Sequence, residues 1–207
     1  MPTKCAELVP GWPGFVGVKD ASSHGVGGIV VGEREACVPT VFRAEWPDDI
    51  KAAFARGDIT NSDLECAGLL LLWLVMEAVC PLKVGSRVAL FSENSPTVGW
   101  VQRMASKRSK VAAQLIRALA LRMKKRGAAP LTTLHISGVE NAITDVPLRS
   151  FGSEPKWYCQ TNSQLLTLFN KKFPLPNQNS WTVFQPNDAL FLRVCSMLQM
   201  KPSSLEE

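Results

Sequence analysis

Histidine and tyrosine are scarce in this chain: its 207 residues include two histidines and one tyrosine. The six cysteines are scattered, with no CxxC pair and no histidine cluster beside them, so a zinc site is not expected. We interpret them as reduced thiols of an intracellular protein, cytoplasmic or nuclear. Because Tyr158 is the single tyrosine and no palm-like segment is present, the WPDD sequence at residues 46–49 does not indicate a polymerase.

Long hydrophobic runs are also missing. The most apolar stretch, residues 68–80, is interrupted by Glu77 and falls short of the ~20 residues that a helix needs to cross a bilayer. We therefore predict a buried core helix in this region and no membrane partner.

Acidic residues are absent from residues 94–139, although the chain as a whole has 18 of them. Nine basic residues fall in the same span: Arg103, Lys107, Arg108, Lys110, Arg117, Arg122, Lys124, Lys125 and Arg126. A segregated basic stretch of this kind attracts a phosphate backbone. The predicted nucleic-acid contacts are Arg103, Lys107, Arg108 and Lys110. The alternative is an ordinary solvated helix face.

The remaining composition, 46% hydrophobic and 20% charged, is that of a globular domain. Apolar patterns bounded by turn residues predict strands near residues 15–19, 26–32, 37–42, 87–91 and 131–136. Helical periodicity and helix-start residues predict helices from residue 47, over 62–79, from 95, over 109–126 and within 139–148. The order β-β-β-α-β-α-α-β-α indicates an α/β fold, with a mixed five-stranded sheet and helices on both faces.

The composition changes after residue 151, where Pro, Asn, Gln and Ser become frequent. We therefore predict a domain over residues 13–151 and a C-terminal extension over residues 152–207. The extension is expected to be partly helical or irregular, with helices near residues 162–171 and 187–200.

Four acidic residues stand where a predicted strand or helix begins or ends: Asp20, Glu65, Glu93 and Asp145. If the first and fourth strands are adjacent and parallel, Asp20 and Glu93 lie together at their carboxyl ends, where sites form in open α/β sheets. Glu65 begins the long apolar helix, and Asp145 follows the last strand by a turn, so both can reach the same place. Carboxylates gathered in this way can hold two divalent cations, roughly 3.5–4 Å apart, against a phosphodiester. The four acids therefore predict a metal-dependent nuclease.

Each acid also has a purely structural explanation. Asp20 could form the turn after the first strand. Glu65 fits an S-x-x-E capping box with Ser62. Glu93 could simply precede a helix N-terminus, and Asp145 could cap a helix.

Four motifs in a fixed order carry a family resemblance: VKDASSHGVGGIVV, NSDLECAGLLLL, VALFSENSPTVGWV and HISGVENAITDVPLRS. Together they resemble the ribonuclease H domain of retroelement reverse transcriptases, most closely those of the DIRS type. The resemblance implies a ribonuclease H-like fold that cleaves the RNA strand of an RNA–DNA hybrid. It further implies two Mg²⁺ ions, with Mn²⁺ as a substitute, bound by the four acids. An adjacent polymerase domain in a longer polyprotein is implied as well.

One position departs from the family pattern, which has aspartate where this chain has Glu93. The longer carboxylate matters because placement errors of about 1 Å can cost on the order of 100-fold in rate. The alternative function is therefore a catalytically weak or inactive module that binds nucleic acid or acts as a scaffold. An integrase or transposase domain would place its last acid on a helix after the fourth strand, and the acid-free residues 94–139 argue against this.

Overall fold

The computed structural model describes residues 12–33, 37–128, 131–151, 156–176 and 179–199. Its strands are β1 (Phe15–Ala21), β2 (Gly25–Gly32), β3 (Thr40–Glu45), β4 (Val88–Ser92), β5 (Thr132–His135) and β6 (Thr182–Phe184). They form one mixed sheet in the order β5-β4-β1-β2-β3-β6. The first three strands pair antiparallel, whereas β4 pairs parallel with both β1 and β5. The sequence patterns thus locate five strands correctly, with β3 beginning three residues later than predicted.

The hairpin of β1 and β2 closes tightly, because the Ser22 amide donates a 2.9 Å hydrogen bond to the Gly25 carbonyl. Valine, isoleucine and glycine make up all of β2, and β1 also contains two valines, which suits a sheet that is covered on both faces. A tight turn here places the end of β1 beside the start of β2.

The helices are α1 (Asp48–Ala55), α2 (Asn61–Val79), α3 (Ser95–Gln102), α4 (Lys110–Arg126), α5 (Ala142–Arg149), α6 (Asn162–Lys172) and α7 (Asp188–Gln199). The ends of α4 follow from local chemistry: the Ser109 side chain accepts a hydrogen bond at the N-terminus, and Gly127 ends the helix with a left-handed φ of 62°. Its buried face consists of Ala112, Leu115, Ile116, Leu119 and Met123.

Two hydrophobic clusters lie on opposite faces of the sheet. The larger one joins the sheet to α1, α2, α4 and α7, and the apolar run of α2 is almost entirely buried within it. The smaller one joins Val18, Ile29 and Val41 of the sheet to α5 and α6. Helices therefore cover both faces, as predicted, and the architecture is an α/β fold built on one mixed sheet.

The C-terminal extension is built into this fold. Strand β6 pairs parallel with β3, so the sheet has six strands where the sequence analysis predicted five. Helix α7 packs on α2 and α4, with the Phe191 ring stacked 5.7 Å from that of Trp46. Position 200, the predicted end of this helix, lies outside the described residues. A three-residue strand such as β6 is too short for its pattern to stand out in the sequence.

The five cysteines within the described ranges are buried free thiols. Cys5 lies outside them. None of the helices in the described part of the chain is long and apolar enough to span a membrane.

Candidate active site

A cavity of about 660 Å³ opens at the carboxyl ends of β1 and β4. All four sequence-predicted acids line it: Asp20, Glu65, Glu93 and Asp145. The other lining residues are Ala21, Ser22, His24, Asn61, Asn94, Leu148 and Arg149. Folding thus gathers carboxylates from a strand, two helices and a strand end at one place.

Asp20 and Glu93 meet because their strands are parallel neighbours. The register pairs Val18 with Phe91, and extending it by two residues aligns Asp20 with Glu93. The Asp20 carboxyl is only 7% exposed and lies within hydrogen-bonding range of the Glu93 side chain. Burial, this contact and the charge of Glu65 raise the pKa of Asp20 to about 8. The Asp20 carboxyl therefore holds its proton at neutral pH.

Glu65 lies one turn into α2 and is 2% exposed. Its predicted capping box with Ser62 is wrong, because Thr60 caps the helix and Asp63 supplies the reciprocal hydrogen bond. Asp63 is the better partner since it occupies the third helical position, where its carboxylate can return to the cap. Glu65 is consequently free of any capping role.

Lys19 is the functional neighbour that the sequence analysis missed. Its side chain is completely buried, and its ammonium is ion-paired with Oε2 of Glu65. The Ser92 hydroxyl donates to the same oxygen at 3.3 Å. A signal was present in the sequence: a lysine stands beside Asp20 in a strand of otherwise small and apolar residues. Alternation along a strand would point it away from Asp20, towards the helix that covers the other face.

Asp145 reaches the cavity because α5 lies unusually close to β2. Gly27, which pairs with Asp20, has no side chain, and a Cβ built there would lie 2.5 Å from the Leu148 nitrogen. Asp145 does not cap α5, since Asn141 occupies that position, and its Oδ1 instead accepts a 3.2 Å hydrogen bond from Arg149. The fourth acid thus depends on a close approach between helix and sheet.

Glu93 is accommodated by a second glycine. A Cβ built on Gly138 would lie only 2.8 Å from Oε2 of Glu93, so a side chain at position 138 would collide with this carboxylate. The backbone oxygen of Glu93 contacts the His135 ring at 3.1 Å, so His135 links the end of β5 to the residue that follows β4. His24 is exposed at the cavity rim.

The donor set fits a hard divalent cation, because carboxylate oxygens are the ligands that Mg²⁺ prefers. However, the four carboxylates do not surround a single point at which a cation could bind. Across the described residues, no group of three or more His, Cys, Asp or Glu side chains is placed to hold a metal ion. Asp20 and Glu93 approach each other, while Glu65 contacts Lys19 and Asp145 contacts Arg149. Cation binding therefore requires side-chain rearrangement.

The four predicted nucleic-acid contacts lie outside the cavity lining, and all are exposed: Arg103, Lys107, Arg108 and Lys110. Their segment is held to the start of α2, because the Ser109 hydroxyl donates to Oδ1 of Asp63. Their role in binding remains a prediction.

No protein-family model matches the chain, and no curated protein matches it. Among solved structures, it is similar to LC11-RNase H1, a ribonuclease H1 isolated from compost by a metagenomic approach. That alignment has 16% identity and a TM-score of 0.46, and it covers 67% of this chain and 95% of the other. The structure of LC11-RNase H1 in complex with an RNA/DNA hybrid aligns with 14% identity and a TM-score of 0.43, covering 66% and 94%. Because both scores lie below 0.5, the fold assignment rests on the chain's own strand order and helix placement.

Proposed function

We propose that this chain is a divalent-metal-dependent ribonuclease H that cleaves the RNA strand of RNA–DNA hybrids. The observation that carries the proposal is the convergence of Asp20, Glu65, Glu93 and Asp145 on one cavity. We further propose Mg²⁺ as the cation, with Mn²⁺ as a substitute.

The chain's own residues prepare the site in three ways. The close Asp20–Glu93 pair offers adjacent carboxyl oxygens to a cation, which would displace the proton of Asp20. Lys19 holds the Glu65 carboxylate at the cavity wall. Arg149 lies beside Asp145 at the rim and can meet an incoming phosphate.

A bound divalent cation would stabilise charge developing on the scissile phosphate and lower the pKa of the attacking water. Asp20, Glu65, Glu93 and Asp145 would hold the cations, and Glu65 would do so in place of its contact with Lys19. Proton release from Asp20 would accompany binding, because its carboxyl holds a proton up to about pH 8 in the cation-free protein.

The test is cleavage of labelled RNA–DNA hybrid, duplex DNA and duplex RNA, side by side, in Mg²⁺. Only the RNA strand of the hybrid should be cut, and chelation should stop the reaction. Asp20→Asn should abolish cleavage while leaving hybrid binding nearly intact. Turnover retained in that variant would exclude the site assignment.

A second candidate is a catalytically silent module that binds hybrid or acts as a scaffold. It is favoured by Glu93, which replaces a shorter acid, and by the Glu65 carboxylate already being neutralised by Lys19. Hybrid binding without cleavage, in Mn²⁺ as well as Mg²⁺, would leave only this function. If side-chain length alone limits activity, Glu93→Asp should raise the cleavage rate, up to on the order of 100-fold for a correction of about 1 Å.

We also propose that the chain belongs to a retroelement reverse transcriptase with an adjacent polymerase domain. This proposal is supported by the four ordered motifs and their DIRS-type resemblance. Sequencing the reading frame that encodes the chain tests it. A frame with no polymerase segment would contradict it.

A further inference from the structure

A basic surface lies where the C-terminal extension packs against helix α5. Its members are Arg149, Lys156, Trp157 and Lys172, here termed the extension cluster. The Lys172 ammonium lies 3.8 Å from the centre of the Trp157 ring, and that of Lys156 lies 4.8 Å from it. Two cations therefore share one indole, which is half-buried against the smaller hydrophobic cluster.

The extension cluster is contiguous with the cavity through helix α5. Arg149 lines the cavity and contacts Asp145 at 3.2 Å. Burial and the nearby charge of Lys156 lower the pKa of Lys172. Helix α6, which ends at Lys172, packs against α5, which carries Asp145 and Arg149.

The positive charge of this surface is poorly balanced. Residues 156–176 contain three lysines and no aspartate or glutamate. Within the described residues, Asp145 is the acid that acts on Lys172. Like charges held around one ring repel each other, so the arrangement favours an anionic ligand over the free state.

We propose that the extension cluster binds the sugar–phosphate backbone of the nucleic-acid strand that enters the cavity. The inference rests on the proposed function and names the surface that performs the binding. Lysine ammoniums neutralise phosphates, and the exposed part of Trp157 offers a surface for a sugar or an unpaired base. The extension would then add to the substrate-binding surface of residues 13–151, against which it packs.

The experiment compares two adjacent lysines at the end of α6. Lys172 contacts the Trp157 ring, whereas Lys171 makes no ring contact or ion pair in the described part of the chain. Both are exposed and carry the same charge. Hybrid affinity is measured against salt concentration, without divalent cations, for the wild type, Lys172→Ala and Lys171→Ala.

Removing one phosphate contact lowers the slope of log K against log salt by about 0.9 in B-DNA, and we expect a loss near this size for Lys172→Ala. Lys171→Ala should leave the slope close to that of the wild type. Lys156→Ala should repeat the effect of Lys172→Ala. Trp157→Phe, which preserves an aromatic ring in the core, should retain most of the affinity for duplex hybrid.

Equal slopes for Lys172→Ala and the wild type, or equal losses for Lys172→Ala and Lys171→Ala, would overturn the inference. Circular dichroism spectra establish that each variant is folded. Cleavage with an unchanged slope would leave the proposed function standing while the inference fails. Binding that depends on Lys172, without any cleavage of the hybrid, would support the inference and refute the proposed nuclease activity. Failure of the wild type to bind nucleic acid would overturn both.

Discussion

Lys19 and Asp20 are neighbours in β1, yet they face opposite sides of the sheet and meet different carboxylates. Lys19 extends beneath α2, where its methylenes lie 3.4 Å from a Cβ built on Gly68, and it neutralises Glu65. Asp20 pairs across the hairpin with Gly27 and meets Glu93. One dipeptide therefore places an ion-paired carboxylate, Glu65, and a hydrogen-bonded carboxyl pair, Asp20 with Glu93, in the same cavity.

The Lys19–Glu65 pair leads to a stability prediction. Lys19→Met leaves a buried, unpaired carboxylate and should destabilise the protein by about 3–5 kcal/mol. Urea unfolding of the wild type and the variant measures the difference. The surface pair of Lys51 with Glu45 provides the matched control, and Lys51→Met should cost less than about 1 kcal/mol. Equal stability of Lys19→Met and the wild type would contradict the importance of the pair.

The raised pKa of Asp20 predicts a pH dependence. The folded state holds this proton more tightly than the unfolded state, whose carboxyl has a pKa of 3.8, against about 8 when folded. The stabilisation is therefore complete below the lower value and is lost as pH rises through the upper one. Thermal melts in chelator should show a smaller loss of stability from about pH 5 to about pH 9 for Asp20→Asn than for the wild type. Parallel pH profiles would refute the assignment.

At the scale of elements, the site depends on where parallel strands end and on how closely α5 approaches the sheet. The parallel pairing of β1 with β4 brings two acids together that are far apart in sequence. The absence of a side chain at Gly27 lets α5 rest on the backbone of β2. The sequence patterns located α5 and β2, but they did not indicate the distance between the two elements.

Gly27→Ala should therefore damage the site through α5. A methyl group at 2.5 Å from the Leu148 nitrogen must push helix and sheet apart, at a cost of about 1–3 kcal/mol. Asp145 moves with the helix, so hybrid cleavage should fall, by on the order of 100-fold for a shift of about 1 Å. Urea unfolding and the cleavage assay measure the two effects.

Gly14→Ala is the control for that substitution, because a Cβ there would lie 3.9 Å from its nearest neighbour, the Arg87 carbonyl. Its stability and cleavage should match those of the wild type. If Gly27→Ala behaves in the same way, the close approach of α5 is unimportant for the site.

At the scale of the whole molecule, the extension shares both hydrophobic clusters with the rest of the chain. Leu165 and Phe169 of α6 lie in the smaller cluster, and Val194 and Leu198 of α7 lie in the larger one. Arg43 of β3 joins the two parts further: its guanidinium donates 2.7 Å hydrogen bonds to Ser150 and to the Cys159 carbonyl. Residues that follow position 151 therefore pack closely against those that precede it.

Deletion of residues 152–207 should consequently unfold the protein or leave it without fixed tertiary packing. Each large apolar side chain that is lost removes roughly 1.5–3 kcal/mol of burial, and typical domains have a total stability of only ~5–15 kcal/mol. Near-ultraviolet circular dichroism and urea unfolding of the truncated chain measure the effect. A cooperative transition at the same urea concentration as that of the full chain would contradict the prediction.

Local patterns in the sequence determined most of the elements. Strand alternation, apolar periodicity and capping residues depend on near neighbours in the chain, so β1, β2, β4, β5 and the helices α2 and α4 could be located from them. The order of the four acidic motifs also identified the candidate carboxylates without any coordinates.

Only the tertiary structure decided how those carboxylates are neutralised and what lies beside them. The burial of Lys19 against Glu65, the contact of α5 with Gly27 and the packing of α6 on α5 all join residues distant in sequence. The addition of β6 to the sheet does the same. Such contacts depend on distances set by packing, and no local periodicity encodes them.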